Sequence, residues 1–494
     1  MKSSLGKSFA NIVRRWMPEP FVFALILTII VALCAVLATD TTTGQVLTHW
    51  YDGFWMLLEF SMQMVLILVT GFAIALSKPA TLAINWIAKR APTPGAVYVL
   101  IVVVGGLLCL VSWGWVVLTA ILGRELAKRV EGVDYAYLIA LVYFASQPWV
   151  GGASSSIPLL LNTPGNFLIE SGTLSDTIPT SHTLGSSLNI AYLITHFVIF
   201  PALLWWMRPR KHEVVSLSYL QGKQLQEKQQ QGKQLQENQL IANQSQTSQL
   251  QTSDKEAPLS VAEEANTLIL DGRSIADKLN NSTIIQWLIG LCALWVVAHH
   301  FWSVGFDLNL NIMIFAFLGL GLLVHRTPMR FGIAMKRACA NVSGLVFQYP
   351  FYAGIMGIMM FSGLGTQISV YLAQGASIDS LPLIAHFAGA SINFAIPSTG
   401  GQWAVIGPAL TETALSVSAH LPPDQQQAFV VRIAMAVAYG ETSTNLLQPF
   451  FLLTILPILG AGVVVHARDI IGYLVVPFVL VYTITALLIW FVPL

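Results

Sequence analysis

At 494 residues the chain is 55% hydrophobic and only 10% charged, against roughly 25% charged in soluble domains. That much apolar surface excludes a soluble fold and makes lipid the solvent for most of the chain. A net charge of +1 argues against the basic face that a nucleic-acid partner requires.

The basic start, Met1 to Pro20, leads into an apolar run at about 20–39. No small-residue cleavage site follows it, so the run reads as a retained first span and not a signal peptide. Further stretches of bilayer-crossing length follow at about 54–75, 135–161, 187–207, 283–302, 309–325, 343–362, 428–460 and 470–492. Two segments differ. Residues 95–123 and 381–415 are each too long for one straight span and too short for two with a loop. Each has a helix-breaking centre, Ser112-Trp113-Gly114 in the first and Pro397-Ser398-Thr399-Gly400-Gly401 in the second. They are expected to be re-entrant hairpins, because non-helical backbone at that depth survives only where protein or a water-filled cavity satisfies it. The predicted fold is an all-α polytopic membrane protein of about 11 transmembrane helices plus two re-entrant hairpins. Residues 1–211 form its N-terminal half and 281–494 its C-terminal half. Between them, 212–280 is polar and Gln-rich, with Gly-Lys-Gln-Leu-Gln-Glu at 222–227 and again at 232–237. It reads as a cytoplasmic linker, disordered or transiently helical, without chemistry of its own.

Charge sets an orientation. The outer loops expected at about 40–53, 162–186, 303–308 and 363–380 contain no Lys or Arg, whereas the opposite loops hold Lys89, Arg90, Arg124, Lys128, Arg129, Arg208, Arg326 and Arg330. The asymmetry predicts a cytoplasmic N-terminus in a bacterial-type inner membrane. Arg432 is the one misfit; it either snorkels outward or attracts an anion.

The halves resemble each other in order. Gln63 and Gln348 sit in matching apolar helices, and each is followed by a broken segment with a Trp beyond the break, Trp115 and Trp403. A small-residue helix comes next, Ile139–Gln147 and Ile433–Glu441, running into Gly151-Gly152-Ala153-Ser154-Ser155-Ser156 and Thr442-Ser443-Thr444-Asn445. The predicted topology makes the copies inverted, the build of many secondary transporters. Close helix packing by small residues is the plainer alternative.

Half-helix N-termini at the two breaks carry partial positive charge suited to a carboxylate. The expected substrate-binding set is Ser112, Trp113, Asn393, Ser398, Thr399, Gly400, Gly401 and Trp403. Unwound carbonyls with Ser154, Ser155, Thr442, Ser443 and Asn445 are candidates for a Na⁺ site. Glu441 lies in an apolar helix, where acids are costly and usually functional, so it is the candidate for proton or cation coupling. Singly, each hydroxyl also has a packing reading, since buried Ser and Thr often bond their own helix. His386 is either a packed residue or a proton shuttle. Cys34, Cys109, Cys292 and Cys339 form no CxxC or Cys/His cluster, so the sequence supports neither a disulfide framework nor a zinc site. Gly6-Lys7-Ser8 lacks the preceding glycine of a P-loop, and there is no HExxH, haem or Rossmann signature. No cofactor is expected beyond Na⁺ as a coupling ion.

A longer ordered set carries a family resemblance. It comprises Tyr51–Trp55, Met62-Gln63-Met64 through Thr70-Gly71, Ser112-Trp113-Gly114, Pro158–Leu160, Thr163–Asn166 and Phe351–Gly354. Ile392–Ser398, Gly401, Trp403, Ala438–Glu441 and Arg468–Ile470 complete it. In these residues the chain resembles the bacterial short-chain fatty acid transporter family, the permease type linked to acetoacetate and butyrate use. That family is similar to the wider ion-transporter group of citrate and dicarboxylate carriers. The resemblance implies carboxylate uptake by an elevator-like or rocking mechanism, coupled to H⁺ or Na⁺, with a homodimer left open. The Gln-rich insert departs from the family pattern but lies outside the membrane. A di- or tricarboxylate carrier of the same scaffold is the main alternative; a channel or membrane enzyme ranks behind it.

Overall fold

The computed structural model describes residues 20–209, 214–222, 260–268, 274–305, 308–394, 396, 398–448, 452–460, 463, 465 and 467–493. Gly6-Lys7-Ser8, Pro397 and the second Gly-Lys-Gln-Leu-Gln-Glu copy lie outside them. The described residues are helical with no strand, as a chain that must satisfy its own backbone in lipid requires.

The first helices are α1 (Pro20–Ala38), α2 (Thr43–Met56) and α3 (Leu58–Ala75). Helix α2 occupies most of what the sequence predicts as an outer loop. Thr42 and Gln45 form a reciprocal capping box, which supplies partners to the free N–H groups of its first turn. Its Gly53 crosses Gly357 so closely that a Cβ on Gly53 would lie 2.5 Å from the other glycine's Cα. Next come α4 (Lys78–Ala88), α5 (Pro94–Val111) and α6 (Val116–Arg129). The helical path stops at Ser112, which is extended (φ −150°, ψ 128°), and a 3-10 turn over Trp113–Trp115 restarts it. Helices α5 and α6 pack against each other.

The stretch 135–161, expected as one span, is two pieces: α7 (Tyr135–Phe144) and α8 (Ser156–Leu161). Pro148 has no N–H to continue the helix, and Gly152 lies so close to the Leu110 carbonyl that a Cβ would meet its oxygen at 2.1 Å. A side chain there would separate the segments. Helix α9 (Ser187–Ile194) passes through a π turn over Thr195–Ile199 into α10 (Phe200–Trp206), giving one continuous rod.

The described ends of the polar block make defined contacts. Val215 N donates to Asp134 Oδ2 at 3.0 Å, and Tyr135 N donates to Val215 O at 2.9 Å. At the far end, α11 (Val261–Thr267) packs Val261 and Ala265 against Ala73, Ile333 and Ala334, with Glu264 paired to Arg337. Ser260 caps this helix, and its hydroxyl and N–H hold the exposed Glu263 carboxyl below the usual carboxylate range. A further short helix is α12 (Ile275–Asn280).

The second half contains α13 (Thr283–Val304), α14 (Leu310–His325), α15 (Pro328–Phe361), α16 (Leu364–Gly375) and α17 (Ser380–Ile392). It continues with α18 (Thr399–Val417), α19 (Pro423–Asn445), α20 (Leu452–Leu459) and α21 (Ala467–Phe491). Helix α15 begins well before the expected 343–362 span because Thr327 caps it and Pro328 stands at its first position, where a missing N–H costs nothing. Helix α16 again falls in an expected outer loop. The expected 428–460 span divides after Asn445 into α19 and α20. Five helical stretches among the described residues are long and apolar enough to cross a bilayer: Leu58–Ala75, Pro94–Val111, Ser187–Trp206, Ile275–Val304 and Ile470–Phe491.

Packing between the halves is reciprocal. The arm beyond the first break, α6, packs on α20, the piece beyond the discontinuity in the second half. The arm beyond the second break, α18, packs on α8, the corresponding piece of the first half. Each arm before a break packs on its own half's small-residue segment: α5 on the Gln147–Gly151 turn and α17 on α19.

Candidate functional site

The closest of these contacts builds the site. Helices α17 and α19 meet at Gly389 and Gly440: a Cβ on Gly440 would lie 2.0 Å from His386 O, and one on Gly389 would lie 2.4 Å from Val437 O. This backbone-to-backbone approach brings the end of α17 against the polar last turns of α19. Asn393, at the break, is fully buried there. Its Nδ2 donates to Glu441 O at 3.0 Å, Thr444 Oγ1 at 2.8 Å and Asn445 Oδ1 at 2.8 Å. Asn445 Nδ2 in turn donates to Glu441 Oε1 at 3.0 Å, and Gln448 Nε2 donates to Asn393 O.

Several buried polar atoms around this network are left without partners. Thr399 and Asn445 are the side chains placed to hydrogen-bond the Glu441 carboxyl, yet Oε2 and Thr399 Oγ1 have no partner of hydrogen-bonding geometry. Asn393 Oδ1, Gln402 Oε1 and Gln448 Oε1 are also buried without a partner. An unpaired buried polar atom ordinarily costs about 1–3 kcal/mol, and native structures hold few of them. Five oxygens of this kind on α17–α19 and the turn after α19 form a set suited to a cation or an added proton.

The first break makes a different set of contacts. Trp113 N donates to Ser154 Oγ at 3.0 Å, Ala153 N to Leu110 O at 2.8 Å and Trp115 Nε1 to Gly71 O at 3.2 Å. Ser112 is buried over Gly71 on α3. Tyr143 and Gln147 join the two regions: Tyr143 Oη donates to Asn445 O at 2.7 Å, and Thr442 Oγ1 donates to Gln147 O at 3.3 Å.

The predicted residues therefore divide. Asn393, Thr399, Glu441 and Asn445 converge on one cluster, with Thr442 on its flank. Ser112, Trp113 and Ser154 form a separate one at the first break. Ser155 and Ser443 bond carbonyls of their own segments, Val150 O and Tyr439 O. Ser398 caps α18 and shares a hydrogen bond with Tyr349 Oη at 3.0 Å. Gly400 packs against Phe60 and Met64, and Gly401 against Tyr352. Trp403 is wholly buried over Gly407, with its Nε1 unpaired. His386 is buried, with Nδ1 near Ala436 O at 3.1 Å and its ring stacked on Tyr482. Arg432 is half-buried and does not join the cluster. It donates to Ile489 O and Val492 O at 3.2 and 2.6 Å, capping the last carbonyls of α21.

Sequence reasoning passed over Thr444, Gln402, Gln448, Tyr143 and Gln147. A signal existed for Gln147, which occupies the register of Glu441 when the two small-residue helices are aligned.

Comparison with known proteins identifies relatives of the chain. The family described as "Short chain fatty acid transporter" matches residues 1–253 and 249–492. A curated protein of Escherichia coli (strain K12), provisionally named a short-chain fatty acid transporter, is 35% identical over 96% of both chains. One of Haemophilus influenzae with the same name is 33% identical over 96% of both. Among solved structures, the Alcanivorax borkumensis YdaH transporter matches with a TM-score of 0.53 at 15% identity, covering 96% of this chain and 98% of that one. That last likeness is one of fold.

Proposed function

The chain belongs to the short-chain fatty acid transporter family, and on that premise we propose that it is a secondary transporter for short-chain monocarboxylates such as acetoacetate or butyrate. It is a multi-pass membrane protein. Uptake is coupled to H⁺ or Na⁺, and the coupling site is the cluster of Glu441, Asn393, Thr399 and Asn445 with Gln402 and Gln448. The observation that carries this reading is the surplus of unpaired oxygens around a buried carboxyl at the end of a helix. Such helix ends and carbonyls hold Na⁺ or H⁺ in carriers built from discontinuous helices.

The substrate carboxylate is held at the N-terminal ends of α18 and α6, where free N–H groups and the helix dipole favour an anion. The two broken segments act as re-entrant hairpins of inverted halves; the reciprocal packing of α6 on α20 and α18 on α8 is what such a two-fold relation produces. The Lys and Arg bias of the expected cytoplasmic loops supports a cytoplasmic N-terminus and an inner-membrane location.

Labelled butyrate and acetoacetate uptake into proteoliposomes, under an imposed pH or Na⁺ gradient, tests the reading. Accumulation that follows one gradient and collapses with it is expected. Absence of uptake under either gradient overturns it.

A further inference from the structure

We propose that the groove at the N-terminal ends of α3 and α14, the ends expected to face outward, binds a membrane lipid, and that Glu59 selects one whose headgroup carries a primary ammonium. The inference needs only the multi-pass membrane character of the chain. It is independent of the transported substrate and of the coupling ion.

Gln63 is the starting point. A polar side chain in an apolar span is costly, and the Glu441 cluster does not use this one. Gln63 is buried, and its Nε2 donates to Asn311 Oδ1 at 3.0 Å and to Glu59 Oε1 at 3.3 Å. These two bonds fix which way both amides face. Gln63 Oε1 and Glu59 Oε2 are left over as acceptors, and Asn311 Nδ2 as a donor. Further along, the helices touch: a Cβ on Gly321 of α14 would lie 3.8 Å from Ile74 Cγ1 of α3. At their N-terminal ends a cavity of about 400 Å³ lies between them. The polar trio lines it, together with Met62, Leu66, Ile314 and Phe315.

Charge and polarity select the ligand. Glu59 makes no ion pair among the described residues, and the loops expected on its side of the membrane contain no Lys or Arg. Its countercharge therefore comes from outside the chain. A free ion or a soluble amine gains nothing from the apolar walls. Met62 and Phe315 are 55% and 39% exposed, which opens the groove sideways to the acyl chains of a bilayer. Phosphatidylethanolamine matches both parts. Its ammonium shares three N–H donors between Glu59 Oε2 and Gln63 Oε1, the charge-assisted bonds that a carboxylate forms best. Its phosphate accepts from Asn311 Nδ2, and an acyl chain follows Met62, Leu66 and Phe315. From Glu59 to Leu66 the helix rises by roughly 10 Å, enough to pass from the headgroup level into the hydrocarbon. Phosphatidylcholine carries the same charges without an N–H, and phosphatidylglycerol has no cation, so neither satisfies the acid.

Native mass spectrometry of the full chain in detergent tests this, with phosphatidylethanolamine, phosphatidylcholine and phosphatidylglycerol of identical acyl chains as the titrants. Wild type should bind phosphatidylethanolamine about three- to fivefold more tightly than phosphatidylcholine, the scale of one partly exposed ion pair. Glu59→Gln should abolish that preference without weakening phosphatidylcholine. Leu66→Trp, which fills the groove, should remove the preference together with the tightest-bound lipid, and it carries the test if Glu59→Gln does not fold. Soluble phosphoethanolamine, which lacks the acyl chains, should not displace the lipid. Equal binding of the two zwitterionic lipids by wild type, a preference that survives Glu59→Gln, or displacement by phosphoethanolamine at equal concentration overturns the proposal. A wild-type dimer that Leu66→Trp splits into monomers with the lipid preference intact overturns it as well, because the groove would then be covered by a second copy of the chain.

Discussion

Asn393 Nδ2 donates to Asn445 Oδ1 at 2.8 Å, and this bond fastens the break after α17 to the turn of α19 that carries Glu441. Because the same amide also reaches Glu441 O and Thr444 Oγ1, Asn393 fixes where the unpaired oxygens point. Asn393→Ala should leave a folded protein, since interhelical polar bonds in membranes average only about 0.6 kcal/mol each. Transport should nevertheless fall by more than about tenfold, the usual penalty for loosening groups around an ion site. Initial uptake rates at matched amounts of reconstituted protein check this; wild-type rates would remove Asn393 from the site.

Glu441→Gln separates charge from shape. The glutamine keeps an oxygen to accept from Asn445 Nδ2, as Glu441 Oε1 does at 3.0 Å, but it can neither take up a proton nor neutralise a cation. Gradient-driven accumulation should therefore be lost while exchange of labelled for unlabelled substrate at equal concentrations continues. Unchanged accumulation would rule out the carboxyl as the coupling group.

The legible parts of this molecule were those set by strong local chemistry. The breaks at Ser112 and at 393–398 fall where Gly, Pro and Ser interrupt apolar runs. Glu441 stood out because an acid in an apolar helix has few reasons to be there. Helices α2 and α16 were hidden in short polar stretches that look like loops until the Thr42–Gln45 capping box is considered. Discontinuities inside 135–161 and 428–460 were hidden for the opposite reason: both runs remain apolar throughout, and hydropathy is blind to backbone path. The cluster's remaining oxygens, on Gln402, Thr444 and Gln448, meet Asn393 through tertiary packing: Gly389 and Gly440 let α17 touch α19, and Gln402 Nε2 on α18 donates to Gly389 O at 2.8 Å. Pairing of that kind has no local signature.

That contact yields a sharp stability prediction. A methyl at residue 440 would sit 2.0 Å from His386 O, a backbone atom that cannot swing aside. Gly440→Ala should destabilise the protein by at least about 1–3 kcal/mol, the range for overpacking a tight core, and Gly440→Leu should abolish folding. Gly332, exposed inside α15 with open space around its Cβ position, is the control: Gly332→Ala should be as stable as wild type or more so, by up to about 1 kcal/mol, because alanine favours the helix. Thermal unfolding in detergent, followed by tryptophan fluorescence, distinguishes them.

Arg432 supplies the last test, because its two readings at the level of sequence predict different kinetics. If the guanidinium attracted substrate, Arg432→Gln would raise the apparent KM. In the structure it is bound instead to Ile489 O and Val492 O, the carbonyls a helix end leaves without partners. Arg432→Gln should then lower stability by about 1–2 kcal/mol, the scale of losing hydrogen bonds from a charged donor, while KM stays within about twofold. Arg432→Lys should recover part of the stability, since one ammonium can serve one carbonyl well but lacks the fork that spans two. A raised KM in a variant as stable as wild type would return Arg432 to the substrate path.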